Sequence, residues 1–287
     1  MKALGAAAGG SPATEFIDVE GMRLRVSIHG RGRPLLLLNG LGAAFELLAP
    51  FRQALDGVET IAIDMPGTGG SRAMRWPQPL RRFARLAART LDLLGYHQVD
   101  VLGVSWGGVL AQEFARRHLG RVRRLVLAAT SPGWTSLPGR PEAIWAMMTP
   151  RRYYSPSYFE KIAPVIYGGA ARTNPQLLRE HGHLRFIRPP SMRGYFYQIV
   201  AGWGWSSLPW LHRIDRPTLV LAADDDPIVP LGNGRLLARF LPQACLHVVR
   251  DGGHLFLITH AAEIAPLVEG FLAGSENGSG NGNRPPR

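Results

Sequence analysis

Val99-Asp100-Val101-Leu102-Gly103-Val104-Ser105-Trp106-Gly107-Gly108 is the stretch on which the fold turns. The apolar run Val99 to Val104 predicts a strand, and the residues that follow, up to about Leu119, carry a helical pattern. Gly103-Val104-Ser105-Trp106-Gly107 lies at the junction. Strand, sharp turn and helix in that order push a serine hydroxyl into a cleft, and glycines two residues to either side are needed because side chains there would strike the neighbouring strand and helix. The spacing therefore predicts a nucleophile at Ser105. A near match, Gly69-Gly70-Ser71-Arg72-Ala73, lacks the preceding strand in register and the following helix, and reads as a turn.

Working outward from this junction, Phe16 to Val19 and Arg23 to His29 predict two strands joined as a hairpin at Glu20-Gly21. Then the pattern changes. Leu35 to Leu38, Thr60 to Ile63, Val99 to Val104, Arg124 to Ala129, Thr218 to Ala222 and Leu246 to Val249 are continuous apolar runs, as in parallel strands covered on both faces. Helical stretches, among them Leu80 to Leu94 and Val109 to His118, separate them. This alternation predicts an α/β fold with a mostly parallel, doubly wound sheet, whose ligands bind beyond the C-terminal strand ends. It breaks after the sixth strand. Residues 131–213 hold five of the seven tryptophans and most of the tyrosines, and read as a helical cap inserted between the core segments 1–130 and 214–273. Part of these aromatics would pack the cap onto the core, and the rest would line an apolar pocket or an exposed patch. The Gly-, Ser- and Asn-rich end, 274–287, predicts a disordered tail.

With 287 residues, 46% of them hydrophobic, the chain can bury a full core. Its one cysteine, Cys245, excludes an internal disulfide and reads as a buried, inert thiol. Met1 to Ala13 lacks a cationic start followed by a long apolar segment, and no apolar run is long enough to cross a bilayer, so a cytoplasmic location is expected. The formal charge of +12 comes with arginines scattered through helices, with only Lys2 and Lys161 as lysines, and no nucleic-acid partner is expected. His181 and His183 have no further ligands in reach of their pattern, so neither a metal nor a cofactor is expected.

A serine hydroxyl needs a neutral imidazole to take its proton, and the imidazole needs a carboxylate to fix its tautomer. His254 is the candidate base. It follows the last predicted strand in Asp251-Gly252-Gly253-His254, where the glycines allow the loop to carry the ring over the serine. The acid is expected in Asp224-Asp225-Asp226-Pro227, after the strand that follows the cap. Three adjacent aspartates cannot all be buried cheaply. Asp226, clear of the strand end and pinned by Pro227, is the choice, with Asp224 as the alternative. The order serine, acid, histidine is that of α/β-hydrolases. Backbone N–H groups of Trp106 and Leu41, the latter in Asn39-Gly40-Leu41-Gly42, are the expected oxyanion donors. Asp64 to Ser71 reads as a structural loop.

From about Leu35 to Leu272 the chain resembles the intracellular medium-chain-length poly(3-hydroxyalkanoate) depolymerases, which are α/β-hydrolases acting on polyester granules. The resemblance is carried by Asn39-Gly40-Leu41-Gly42-Ala43, Val104-Ser105-Trp106-Gly107-Gly108, Pro150-Arg151-Arg152-Tyr153 and Ile166-Tyr167-Gly168-Gly169. It continues in Asp224-Asp225-Asp226-Pro227 and Gly253-His254-Leu255-Phe256-Leu257-Ile258-Thr259. The resemblance implies an α/β-hydrolase fold, Ser105 as nucleophile, Asp226 as acid and His254 as base. It further implies a serine esterase cutting medium-chain polyester, with a granule or apolar ester as its partner. Two alternatives stay open: a hydrolase of small soluble esters or lactones, and a granule-binding protein without turnover.

Overall fold

The computed structural model describes residues 13–274; the expected tail beyond Gly274, and the N-terminus up to residue 12, lie outside the described residues. Eight strands form one sheet: β1 (Ala13–Val19), β2 (Met22–His29), β3 (Arg33–Leu38), β4 (Val58–Ile63), β5 (Val99–Val104), β6 (Val122–Ala128), β7 (Thr218–Ala223) and β8 (Ala244–Val249). Their spatial order is β1-β2-β4-β3-β5-β6-β7-β8. β1 and β2 form the expected hairpin, turning through Glu20 and Gly21, both at positive φ, and β2 lies antiparallel to β4. From β4 to β8 every pairing is parallel.

Two apolar cores, one on each face, explain why the parallel strands read as unbroken apolar runs. Leu36, Leu38 and Val101 enter one core, and Leu35, Leu37 and Leu102 the other. Each face is closed by helices. α1 (Ala49–Ala54) is short, whereas α2 (Leu80–Leu94) buries Leu80, Phe83, Ala84, Ala87 and Leu91 on a helical stripe. α2 stops at Gly95, whose φ of 82° lets its N–H reach back to the Leu91 and Asp92 carbonyls. α3 (Trp106–Arg117) begins directly after Ser105, earlier than the apolar pattern alone suggests.

β8 departs from expectation. It pairs on one side only, with β7, and is half covered, so Cys245 is exposed rather than buried. An edge strand keeps the apolar composition of its neighbours without their burial.

Between β6 and β7 the chain leaves the sheet and forms α4 (Pro141–Met147), α5 (Pro156–Tyr167), α6 (Gly169–Thr173), α7 (Pro175–Gly182), α8 (Leu184–Ile187) and α9 (Met192–Gly202). The two ends of this insertion meet at its base, where Trp134 N–H donates to Trp205 O at 2.7 Å and Ser207 N–H to Pro132 O at 3.0 Å. Ala143, Phe159, Ala163, Ile166, Tyr167 and Ala171 give it an apolar cluster of its own, shared with Ile228 of the core. The aromatics divide between two tasks. Tyr153, Tyr167, Tyr195 and Trp210 are buried, while Trp134, Trp145 and Trp203 are exposed. After β7 come α10 (Leu231–Phe240), α11 (Phe256–Thr259) and α12 (Ala261–Ala273), of which the last covers the second core face.

Candidate active site

Ser105 sits between β5 and α3 with φ 55° and ψ −119°, a conformation that costs a non-glycine residue about 1–3 kcal/mol. The surroundings enforce it. A Cβ on Gly103 would lie 2.3 Å from Gly107 O, and one on Gly107 would lie 2.0 Å from Leu38 O, so neither position admits a side chain. The Ser105 N–H donates to Ala128 O at 2.9 Å, and Thr130 Oγ1 donates to Ser105 O at 2.7 Å, tying the turn to the end of β6. The serine is thus fixed by both neighbouring elements.

His254 arrives on the loop after β8. Its backbone N–H donates to Tyr167 O at 2.7 Å, and the glycine before it passes so close to the insertion that a Cβ on Gly253 would meet Tyr167 O at 2.0 Å. The imidazole lies parallel to the Tyr167 ring, 6.4 Å between centroids. His254 Nδ1 is 2.7 Å from Asp226 Oδ2, and Nε2 is 3.0 Å from Ser105 Oγ. The three candidates, 149 and 28 residues apart along the chain, are in hydrogen-bond contact.

The aspartate triplet divides its work in space. Asp226 is buried, and its Oδ1 accepts from the N–H groups of Ile228 at 2.8 Å and Val229 at 2.9 Å, leaving Oδ2 for the imidazole. Asp225 turns to the insertion and accepts from Gly169 N–H at 2.6 Å and Arg172 at 2.7 Å. Asp224 is exposed to solvent. Held by Asp226 as an Nδ1–H donor, the ring keeps Nε2 free to accept the serine proton.

Asn39 shapes the turn after β3, donating to Ala44 O and accepting from Gly40 N–H, each at 2.8 Å. Gly40 lies against Ser105, since a Cβ there would stand 3.5 Å from the serine Cβ. Among the described residues, the Gly40, Gly42 and Ala43 amides have protein acceptors, whereas none is recorded for the Leu41 or Trp106 amide. Both free N–H groups flank the serine turn, the arrangement an oxyanion site requires.

Sequence reasoning did not anticipate how the insertion grips this turn. Tyr153 Oη donates to Leu41 O at 2.7 Å, Arg152 reaches the same carbonyl at 3.4 Å, and Gly42 N–H donates to Gln198 Oε1 at 3.0 Å. Gln198 also accepts the Trp106 indole N–H on its backbone oxygen, at 2.9 Å. One peptide unit, Leu41–Gly42, is therefore pinned at both ends by the insertion. The signal was a lone amide, Gln198, in the apolar run Tyr195 to Val200; a buried amide in such a run has to find polar partners.

The remaining loop, Asp64 to Ser71, is structural, as expected. Asp64 is fully buried, accepts from Phe45 N–H at 2.9 Å and Gly70 N–H at 3.2 Å, and pairs with Arg25 at 3.1 Å. Burial lifts its carboxyl to about 6, against the pull of those donors.

The cleft at Ser105 and His254 is mainly apolar, with Leu47, Val104, Met147, Leu255 and Ile258 around them. Residues 35–267 match the alpha/beta hydrolase family. The chain belongs to that family. This hydrolase is 52% identical over 240 residues, 83% of its own length and 84% of the relative's, to a poly(3-hydroxyalkanoate) depolymerase of Ectopseudomonas oleovorans, and falls in one family with it. It is also 30% identical, over 90% of its length and 93% of the relative's, to a 2-hydroxymuconate semialdehyde hydrolase of Pseudomonas sp. (strain CF600). The enol-lactonase of Burkholderia xenovorans LB400 shares its fold, with a TM-score of 0.77 at 22% identity, covering 90% of this chain and all of that one. No helix of the described residues is long and apolar enough to cross a membrane.

Proposed function

We propose that the hydrolase is a serine esterase that cuts medium-chain poly(3-hydroxyalkanoate) through an acyl-enzyme intermediate. The observation that carries this reading is the relay Ser105–His254–Asp226, at 3.0 and 2.7 Å, in a chain 52% identical to a polyester depolymerase. Ser105 Oγ attacks the ester carbonyl while its proton passes to His254 Nε2, and Asp226 stabilises the imidazolium. The Leu41 and Trp106 amides take the charge of the tetrahedral oxygen; each such donor is worth about 3–4 kcal/mol. The C–O bond to the alcohol then breaks, and His254 returns the proton to that oxygen. Water, deprotonated by the same imidazole, then releases the acyl group as a 3-hydroxy acid or a shortened oligomer, and the proton returns to Ser105 Oγ.

The insertion acts as a cap over this cleft, and its exposed aromatic face supports docking on a polymer granule in the cytoplasm. Trp134 and Trp203 pack at a tilt, 5.0 Å between ring centroids, and Trp145 is 80% exposed. Aromatic rings open to solvent in a cluster favour an apolar surface as partner. The test is clearing of a polyhydroxyoctanoate suspension by the purified protein, beside turnover of p-nitrophenyl octanoate and labelling of Ser105 by a fluorophosphonate. Clearing with labelling supports the reading. Turnover of the soluble ester without clearing would make the protein a small-ester hydrolase, and failure to label Ser105 would remove the serine mechanism.

A further inference from the structure

Three buried hydrogen-bond donors without a protein partner, Arg152 Nε, Arg185 Nε and Tyr167 Oη, belong to residues lining the same cleft as Ser105 and His254. All three side chains are more than nine-tenths buried. Two carry a positive charge, and among the described residues no acid lines the cleft. Arg152 is occupied elsewhere, by Tyr195 Oη at 2.6 Å and Thr149 O at 3.2 Å. Arg185 is held chiefly by rings: its guanidinium stands 4.9 Å from the centroid of Tyr153, 5.0 Å from Phe159 and 5.1 Å from Tyr167. Aromatic faces steady a cation without neutralising it, so its charge and its free N–H remain available. A guanidinium taken out of water with no carboxylate beside it is costly unless a ligand supplies the anion.

We infer that these donors form a carboxylate subsite, centred on Arg185 and Tyr167, for the free carboxyl end of the ester substrate. The inference rests on the esterase reading above and deepens it. In a 3-hydroxyalkanoate oligomer the last unit is an alcohol whose carboxylate lies two carbons from the ester oxygen. Binding that carboxylate in the cleft places the last ester bond at Ser105, so each cut releases one 3-hydroxy acid from the carboxyl end. A neutral polyester segment in mid-chain leaves Arg185 unanswered.

The test compares the linear dimer of 3-hydroxyoctanoate, as free acid, with its methyl ester. Wild-type protein is expected to hydrolyse the free acid with kcat/KM about ten- to hundredfold above the methyl ester, the range of a charge-assisted hydrogen bond. Arg185→Gln should collapse this ratio towards one through KM, Arg185→Lys should keep part of it, and Tyr167→Phe, which removes only a hydroxyl, should lower it by a smaller factor. Calorimetry on Ser105→Ala reads the same preference as binding, independently of turnover. Monomeric 3-hydroxyoctanoate as a competitor distinguishes a site for the product acid from one for the oligomer end: oligomer-end recognition predicts that the dimer acid binds more tightly than the monomer. Equal use and equal binding of acid and methyl ester, or a preference unchanged in Arg185→Gln, overturns the subsite while leaving the esterase reading intact. Absence of ester turnover, with Ser105→Ala still preferring the acid, would instead overturn the esterase reading alone.

Discussion

The sheet and the helical insertion contribute to one cleft by different means. Every candidate reacting group stands on a loop directly after a strand: Leu41 after β3, Ser105 after β5, Asp226 after β7 and His254 after β8. The insertion supplies Arg152, Tyr153, Tyr167, Arg185 and Gln198 from four separate helical segments, and each is buried. Strand ends are placed by a ladder of backbone hydrogen bonds that tolerates many side chains. Short helices are placed by the side chains themselves, so a polar residue there is bound up with how the insertion sits. On the proposed reading the core carries the reacting groups, and the insertion holds the Leu41–Gly42 turn beside them.

Substitutions should separate along the same line. Ser105→Ala removes the nucleophile and should lower kcat on every ester by about 10⁶, with the melting temperature preserved. Asp226→Asn should cost about 10⁴ through the wrong His254 tautomer. Asp224→Asn, at an exposed position, should stay within about twofold of wild type. The reverse outcome, measured as kcat on p-nitrophenyl octanoate, would reassign the acid. In the insertion, Gln198→Leu frees the Gly42 amide and loosens the turn; kcat should fall by about 10² with KM little changed, as for a misplaced reacting group. A loss confined to KM would show instead that Gln198 serves substrate fit alone. On the outer face, Trp145→Ser together with Trp203→Ser should slow clearing of a polymer suspension about five- to tenfold and leave soluble-ester turnover unchanged.

Legibility followed the same division. The apolar runs, the hairpin at Glu20-Gly21 and the helix Leu80–Leu94 could be read directly, because burial on two faces and helical periodicity are local properties of a sequence. The serine turn was readable because its glycines have no substitute at those distances. Misreadings came where the neighbour decides. Cys245 has an apolar context and an exposed place, since nothing in its own segment states that β8 ends the sheet. Gln198 stood out only as a polar residue in an apolar run, and neither it nor Arg152 and Arg185 showed in sequence which turn or cleft they face.

By itself the sequence settled the parallel sheet with its insertion, and the serine, histidine and aspartate cluster at strand ends, because strand order and turn chemistry are encoded within short windows. Only the tertiary structure decided which of three adjacent aspartates meets the imidazole, which amides remain free beside Ser105, and that two arginines share a cleft without an acid. Those are facts of contact between elements tens to hundreds of residues apart. Contact at that range is fixed by packing, which no short window contains.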